Sequence, residues 1–379
     1  MSNIVLLGAS GSIGTQTLEV LDLYHEEFCL KAVSVGKNTA FLRELVERYP
    51  SLEAVYSIEK DEELAAAHPQ LRYFSGEELS ELAAWPRTDL VINALVGFVG
   101  FLPSLAAIRS GKDLALANKE TLVAGGEVIR REMKKYGTKL YPIDSEHSAI
   151  WQCLQGNPRE DLKRLIITAS GGSFRDKTRA ELKNVTLEDA LKHPTWSMGA
   201  KITIDSATMM NKAFEVMEAH YLFDVPYEQI DVLIHPQSIV HSLIEFRDGA
   251  QLAQLGLPDM RIPILYALRH PSHAAGVSSE SLDLAKVGTL EFRAMDYDRF
   301  PFLKAVKRIA PLGGNFGAVL NGANDEAVSL FLQKKISFLD IEKSVFAALS
   351  KMEFVSDPDE ADIIAAHNFG RDTVARMWN

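Results

Sequence analysis

The stretch Val5–Leu21, VLLGASGSIGTQTLEVL, joins an apolar run to a helical pattern through glycines at 8, 11 and 14. Strand, glycine-rich turn and helix in that order make a phosphate cradle. The glycines permit a tight turn and let backbone N–H groups approach a pyrophosphate, which then sits at the positive end of the helix dipole. The spacing is GxxGxxG rather than GxGxxG, so the signal comes from its strand-before, helix-after context. Outward from this unit, short apolar runs alternate with amphipathic stretches over the first 145 or so residues. Strands are predicted at Asn3–Leu7, Leu30–Val35, Ala54–Ser57, Asp89–Ala94, Asp113–Ala117 and Lys139–Ile143. This rhythm predicts an α/β fold with a Rossmann-like, doubly wound parallel sheet.

The pattern then changes. RLIITASGGSF (164–174) reads as a strand entering a Gly-Gly loop, and HPTWSMGAKITIDSATMMNKAFEVMEAHYLF (193–223) as a loop, a short strand and a helix. Further strands follow, the last two joined at Asp248-Gly249. The expected organisation is a nucleotide-binding domain at 1–148, a central α+β catalytic domain at 149–270, a linker at 271–298 and a small helical domain at 299–379.

The chain has 379 residues, 47% apolar and 24% charged, the balance of a globular protein. No apolar run reaches the roughly 18 residues of a membrane span. The N-terminus shows no basic leader or cleavage site, so a cytoplasmic location is expected. Forty Lys and Arg stand against 51 Asp and Glu, a formal charge of −11 that disfavours a general nucleic-acid surface. Cys29 and Cys153 are too few and too far apart for a disulfide framework or thiolate zinc site.

Where an NAD site places an acidic residue after the second strand, this chain has Gly36-Lys37-Asn38. A lysine and an amide suit a ribose 2′-phosphate and predict NADPH; Lys37 as one more solvated lysine is the simpler alternative. Asp144 and Glu146 flank Ser145 at the end of the last predicted strand, where an extended chain would project both carboxylates to one side. An all-oxygen pair points to Mg²⁺ or Mn²⁺. Equally, Asp144 could cap a helix starting near Ser148, with Glu146 in its first turn. Glu215 could supply a third carboxylate, with Asn211 and Lys212 on a phosphate; a solvated face carrying a Lys212–Glu215 pair is the alternative. Ser206, in the DSAT turn, and Ser170, beside two glycines, are turn residues or phosphate ligands. Trp196 and Met198 in HPTWSMG mark a closing lid or a permanently packed loop. His241 reads equally as a strand histidine.

Taken together, GASGSIG, GKN, ANKETLV, DSEHSAI, ASGG, HPTWSMG, DSATMMNKAFE, HPQSIVHS and AQLGLPDMR resemble the 1-deoxy-D-xylulose 5-phosphate reductoisomerase family, in order over essentially the whole chain. The resemblance implies a homodimeric enzyme of the methylerythritol phosphate pathway that acts on a small phosphorylated sugar. Asp144, Glu146 and Glu215 would bind Mg²⁺, Mn²⁺ or Co²⁺. Lys119 and Ser145 would contact substrate, and Ser170, Ser206, Asn211 and Lys212 would hold its phosphate. His193 and Trp196 would belong to the lid, with Met198 in the same loop, and His241 would lie near the phosphate pocket. NADPH would be held by Ser10, Gly11, Ser12, Ile13, Gly36, Lys37, Asn38, Asn118, Glu120 and Gly199, with Met260 approaching the nicotinamide. Two departures are slight: Ser10 stands where many members have Thr, and Gly322 where Ala is usual.

In the family's reaction the metal would chelate the substrate's C2 carbonyl and C3 hydroxyl oxygens while the C3–C4 bond breaks and re-forms, and NADPH would then reduce the branched aldehyde. Two rivals stand beside it. A plain NADP-dependent aldehyde or semialdehyde dehydrogenase would want a thiol nucleophile and leave the carboxylates unused. A non-catalytic NADPH sensor would bind cofactor without isomerising sugar.

Overall fold

The computed structural model describes residues 1–196, 198–278 and 280–379; Ser197 of HPTWSMG and Ser279 of the expected linker lie outside the described residues. The chain divides into two compact units. The first takes in Met1–Thr121, Ile129–Asp144 and a segment beginning at Asp259; the second takes in Leu122–Val128, Ser145–Pro258 and Glu280–Asn379.

In the first unit, β1 (Ser2–Leu7), β2 (Phe28–Ser34), β3 (Ala54–Ser57), β4 (Arg72–Ser75), β5 (Leu90–Asn93), β6 (Asp113–Leu116) and β7 (Leu140–Pro142) form one parallel sheet in the order β4-β3-β2-β1-β5-β6-β7. Ile4, Val5, Leu6 and Leu7 are all 0% exposed, as a central strand covered on both faces requires. The chain leaves β1 toward β2 on one side and later returns to β5 on the other, which puts the topological switch point at the end of β1. Gly8 lies there with φ +85°, and a Cβ on it would be 2.7 Å from the Ala94 carbonyl oxygen at the end of β5. A Cβ on Gly14 would run into the Gly8 carbonyl. The six predicted strands are all present. The short β4 was not foreseen, and the helix Arg261–Arg269, expected in the catalytic domain, packs in this unit because Ile264, Leu265 and Ala267 join the core of Ile4, Leu18 and Val33.

The second unit holds β8 (Leu162–Ala169), β9 (Ile230–Ile234), β10 (Val240–Phe246), β11 (Gln251–Leu255) and β12 (Arg293–Ala294), ordered β11-β10-β8-β9-β12. Among the described residues, only the β8–β9 pairing of this sheet is parallel. The Asp248-Gly249 turn joins β10 to β11 as expected, with Gly249 at φ +91°. The region 271–298, expected as a linker, carries a short helix, Leu284–Val287, and β12, which pairs with β9. One expectation is corrected here: KITIDSAT is helical over Ala200–Thr208, not a strand. Its β-branched residues favour a strand locally, but burial of Thr203, Ile204, Ala207 and Thr208 decides for the helix. The Thr203 hydroxyl donates to the Gly199 carbonyl at 2.8 Å, one turn back.

The C-terminal helices are Pro301–Ile309, Phe316–Leu332, Phe338–Lys351 and Glu360–Trp378. Gly322 sits where the Phe316–Leu332 helix crosses the last one, and a Cβ on it would run into the His367 carbonyl. Across the same crossing, a Cβ on Gly370 would lie 2.5 Å from the Val319 carbonyl. Gly322→Ala gains about 1 kcal/mol of helix propensity, yet it forces backbone against backbone, an overpacking worth about 1–3 kcal/mol. The expected outcome is a lower denaturant midpoint at unchanged slope; an equal or higher midpoint would show that the two helices separate without cost.

Candidate active site

In the first unit, the helix Ser12–Leu23 begins directly after the glycine turn, and its N-cap, Gly11, makes no side-chain cap. Its leading amides are therefore available to an anion. Ser10 and Ser12 are exposed beside them, and Ile13 packs on the core. After β2, Gly36 is half-buried and Lys37 exposed, while Asn38 Oδ1 accepts from Phe41 N–H at 3.1 Å and so caps the helix Thr39–Arg48. Asn118 is similarly occupied: Oδ1 accepts from the Thr121 amide at 3.1 Å and hydroxyl at 2.6 Å, and Nδ2 donates to the Leu95 and Gly97 carbonyls at 2.9 and 2.8 Å. Its main-chain N–H also donates, to the Asn93 carbonyl at 3.2 Å. The buried Glu120 carboxylate lies 3.3 Å from Asn118 Nδ2. Lys119 opens the helix Lys119–Tyr136 and pairs with Asp144 at 2.6 Å, both nearly buried. Met260 is half-buried at the N-cap of Arg261–Arg269. Gly199, in the second unit, is the exposed N-cap of Ala200–Thr208.

Asp144 belongs to the first unit and Ser145, the next residue, to the second. The extended geometry expected across 144–146 is not adopted, because β7 stops at Pro142, which has no N–H for a ladder, and a helix runs from Ser145 to Leu154. Glu146 therefore occupies the first helical turn, where the Ser145 hydroxyl donates to its Oε2 at 2.5 Å.

Lys212 brings the second unit's carboxylates together. Its Nζ lies 2.8 Å from Glu146 Oε1, donates to the Thr168 carbonyl at 2.6 Å and pairs with Glu215. Asn211 Nδ2 donates to the other Glu215 oxygen at 2.5 Å. Lys212 and Glu215 are 5% and 1% exposed, so the solvated ion pair allowed by the sequence is instead a buried cluster. Burial opposes the ammonium charge, but attraction to Glu146 and Glu215 outweighs it and holds Lys212 above the ordinary lysine value. Behind it stands a layer not identified from the sequence. His147 Nε2 lies 2.9 Å from the Glu215 carbonyl oxygen, and its Nδ1 lies 3.4 Å from the buried Glu218 carboxylate. The signal was a histidine beside Glu146 and a second glutamate one turn after Glu215.

Ser170 follows β8, ahead of Gly171 and Gly172 at φ +86° and +66°. Gly172 is required there: a Cβ on it would run into the Ser206 carbonyl, so the Ser170 turn lies directly on the last turn of the Ala200–Thr208 helix. Ser206 is thus helical rather than in a turn. His193 Nδ1 accepts from the amides of Trp196 and Thr195 at 2.9 and 3.2 Å, which leaves the proton on Nε2 to be donated to Ser170 Oγ at 3.0 Å. Ser170 Oγ also accepts from Gly172 N–H at 3.3 Å, so the serine's own hydrogen remains to be donated. Trp196 and Met198 are half-buried, and the Trp196 ring lies 6.5 Å from the buried His241, tilted by 49°. Burial lowers the His241 pKa, against the attraction of Glu146.

Burial, helped by nearby Arg175, pushes His193 down to about 4. Because the folded value lies below the unfolded one of about 6.5, the neutral ring's contribution to stability is complete above about pH 6.5 and is lost as pH falls toward 4. Nitrogen NMR of the ring is expected to show the neutral Nε2–H tautomer down to pH 5.5; a cationic ring at pH 6 would contradict this hydrogen-bond assignment.

Family models for 1-deoxy-D-xylulose 5-phosphate reductoisomerase match residues 4–126, for its C-terminal domain residues 140–223, and for a further DXP reductoisomerase C-terminal domain residues 255–373. The 1-deoxy-D-xylulose 5-phosphate reductoisomerase of Geobacillus sp. (strain WCH70) is 53% identical over 366 residues, 96% of each chain. That of Bacillus subtilis (strain 168) is 49% identical over 367 residues, again 96% of each. Among solved structures, the Zymomonas mobilis enzyme in complex with NADPH superimposes with a TM-score of 0.92 at 39% identity, covering 100% of this chain and 99% of that one. A reductoisomerase in complex with NADPH, fosmidomycin and magnesium gives 0.90 at 37%, covering 99% and 98%. With family models spanning most of its length and relatives half identical over nearly all of it, the chain belongs to the 1-deoxy-D-xylulose 5-phosphate reductoisomerase family.

Proposed function

We propose that the protein converts 1-deoxy-D-xylulose 5-phosphate to 2-C-methyl-D-erythritol 4-phosphate, using NADPH and a divalent metal, as a step toward isoprenoid precursors. The observation that carries this reading is the convergence of Glu146 and Glu215 on one buried positive charge, Lys212. A pair of carboxylates already focused on a single cation, with oxygen donors only, fits Mg²⁺, Mn²⁺ or Co²⁺. Asp144, two positions ahead of Glu146, would complete the set. A bound metal would supply Lewis-acid stabilisation of the charge that develops on the substrate's oxygens. NADPH would supply the hydride.

The chain's own residues bind, orient and enclose. Ser170 has a hydroxyl hydrogen to donate to a phosphate oxygen, and Ser206 and Asn211 would add donors. Lys212 would lend its charge to the same phosphate, fixing the substrate at a point remote from the bonds that change. Lys119, held by Asp144, and Ser145 would contact the substrate's oxygens. The loop carrying His193, Trp196 and Met198, beside His241, would close over the bound sugar and exclude water. Ser10, Gly11, Ser12 and Ile13 would hold the cofactor pyrophosphate, Gly36, Lys37 and Asn38 its 2′-phosphate, and Asn118, Glu120, Gly199 and Met260 the remainder. A homodimer in the cytoplasm belongs to the same proposal; among the described residues, no helix is long and apolar enough to cross a membrane.

The thiol-dependent dehydrogenase finds no support, since burial pushes Cys153 up to about 11, far from a thiolate at neutral pH. Purified protein given 1-deoxy-D-xylulose 5-phosphate and Mn²⁺ is expected to oxidise NADPH and form the branched tetrol phosphate; oxidation no faster than with chelator present would overturn the proposal. Glu215→Gln should lower kcat on the order of 100-fold or more while NADPH affinity, read by fluorescence titration, is retained.

A further inference from the structure

Asp205 immediately precedes Ser206 and is 2% exposed, so a carboxylate is buried one residue from a proposed phosphate ligand. Both its oxygens are held. Lys201, one turn earlier, places Nζ 2.9 Å from Oδ2, and Asn324 Nδ2 donates to Oδ1 at 2.8 Å. Asn324 is 0% exposed and belongs to the Phe316–Leu332 helix of the C-terminal region. Lys201 also lies 3.4 Å from Asp325 and 5.3 Å above the Phe214 ring. A buried carboxylate that loses a partner is costly, so this network fixes where the last turn of the Ala200–Thr208 helix can lie. From the other side, Gly172 lets the Ser170 turn rest on the Ser206 carbonyl. Past Ser206 the chain turns through Met209, at φ +60°, straight into Asn211 and Lys212.

We propose that Asn324, acting through Asp205 and with Lys201, is a positioning residue for the phosphate site. It sets the height of Ser206 against Ser170 and the entry of the Asn211-Lys212 turn, although it touches no substrate. The inference rests on the proposed phosphate role of Ser206. It gives the C-terminal helices a part in substrate affinity, since the residue that sets the phosphate donors lies more than a hundred positions away.

The test uses the full-length enzyme with inorganic phosphate as a competitive inhibitor against the sugar phosphate. Asn324→Asp sets carboxylate against carboxylate and is expected to raise the phosphate inhibition constant and the substrate KM on the order of 10-fold, with kcat and the KM for NADPH changed less than twofold. Exchanging the pair, D205N with N324D, restores one donor facing one acceptor and should recover most of the loss. Asn324→Ala, which adds no charge, should shift the same constants in the same direction and serves if N324D fails to fold. An unchanged phosphate constant in these variants, or an equal loss of NADPH affinity that the exchange does not rescue, would overturn the inference. Ser206→Ala separates the two levels: if it weakens phosphate and the Asn324 variants do not, the inference alone falls, and if it leaves phosphate unchanged, the phosphate site falls and the inference with it.

Discussion

A lysine ammonium that is 5% exposed has to be paired or give up its proton, and Lys212 is paired three times over. The three partners come from three elements: the Thr168 carbonyl from β8, Glu146 from the first turn of the Ser145–Leu154 helix, and Glu215 from one turn along the Met210–Phe223 helix. A shift of either glutamate's helix breaks a buried ion pair, a loss of about 3–5 kcal/mol, and a shift of β8 costs the ammonium a hydrogen bond. The pairing thus sets the site's geometry as well as its charge. Ser170 is two residues beyond Thr168, and Ser206 precedes Lys212 by a single tight turn, so the donors proposed for the phosphate are indexed to the same ammonium.

The layer behind Lys212 explains how two glutamates stay aligned at so little exposure. His147 is fully buried, between the Glu215 carbonyl oxygen and the Glu218 carboxylate. It therefore ties the first turn of one helix to the backbone of the other, independently of the carboxylates themselves. Outer partners of this kind orient the groups that meet a ligand. On the Ser170 side the same division holds: the donor is a serine, and its direction is set by a neutral His193 that two backbone amides hold in one tautomer.

Much of this was legible in the sequence. The glycine turn at 8–14 was readable because steric demands on glycine are local: Gly8 and Gly14 each face a carbonyl that leaves no room for a Cβ. Six of the seven strands were readable because a parallel sheet covered on both faces needs continuous apolar runs. β4 was not, since Arg72–Ser75 is polar at both ends and lies at the sheet edge. Ala200–Thr208 was misread because β-branched residues carry a local strand preference that tertiary burial overrides. The carboxylates were identifiable by type and spacing, but Glu146 was placed on a strand that ends four residues too early for it. His147 and Glu218 stood out only by position, and Asn324 not at all, because their roles depend on contacts between helices far apart in sequence.

Each carboxylate proposed for the metal has a lysine beside it: Asp144 has Lys119, and Glu146 and Glu215 share Lys212. A divalent cation on the glutamates would therefore compete with the Lys212 ammonium for the same oxygens, and part of its gain would go into displacing that ammonium. The displaced charge is not lost to the site, because Lys212 is flanked by Asn211 and lies one turn from Ser206, where an incoming phosphate would meet it. A cation and a phosphate dianion entering together would then leave each group with a partner of opposite sign, which neither ligand achieves by itself.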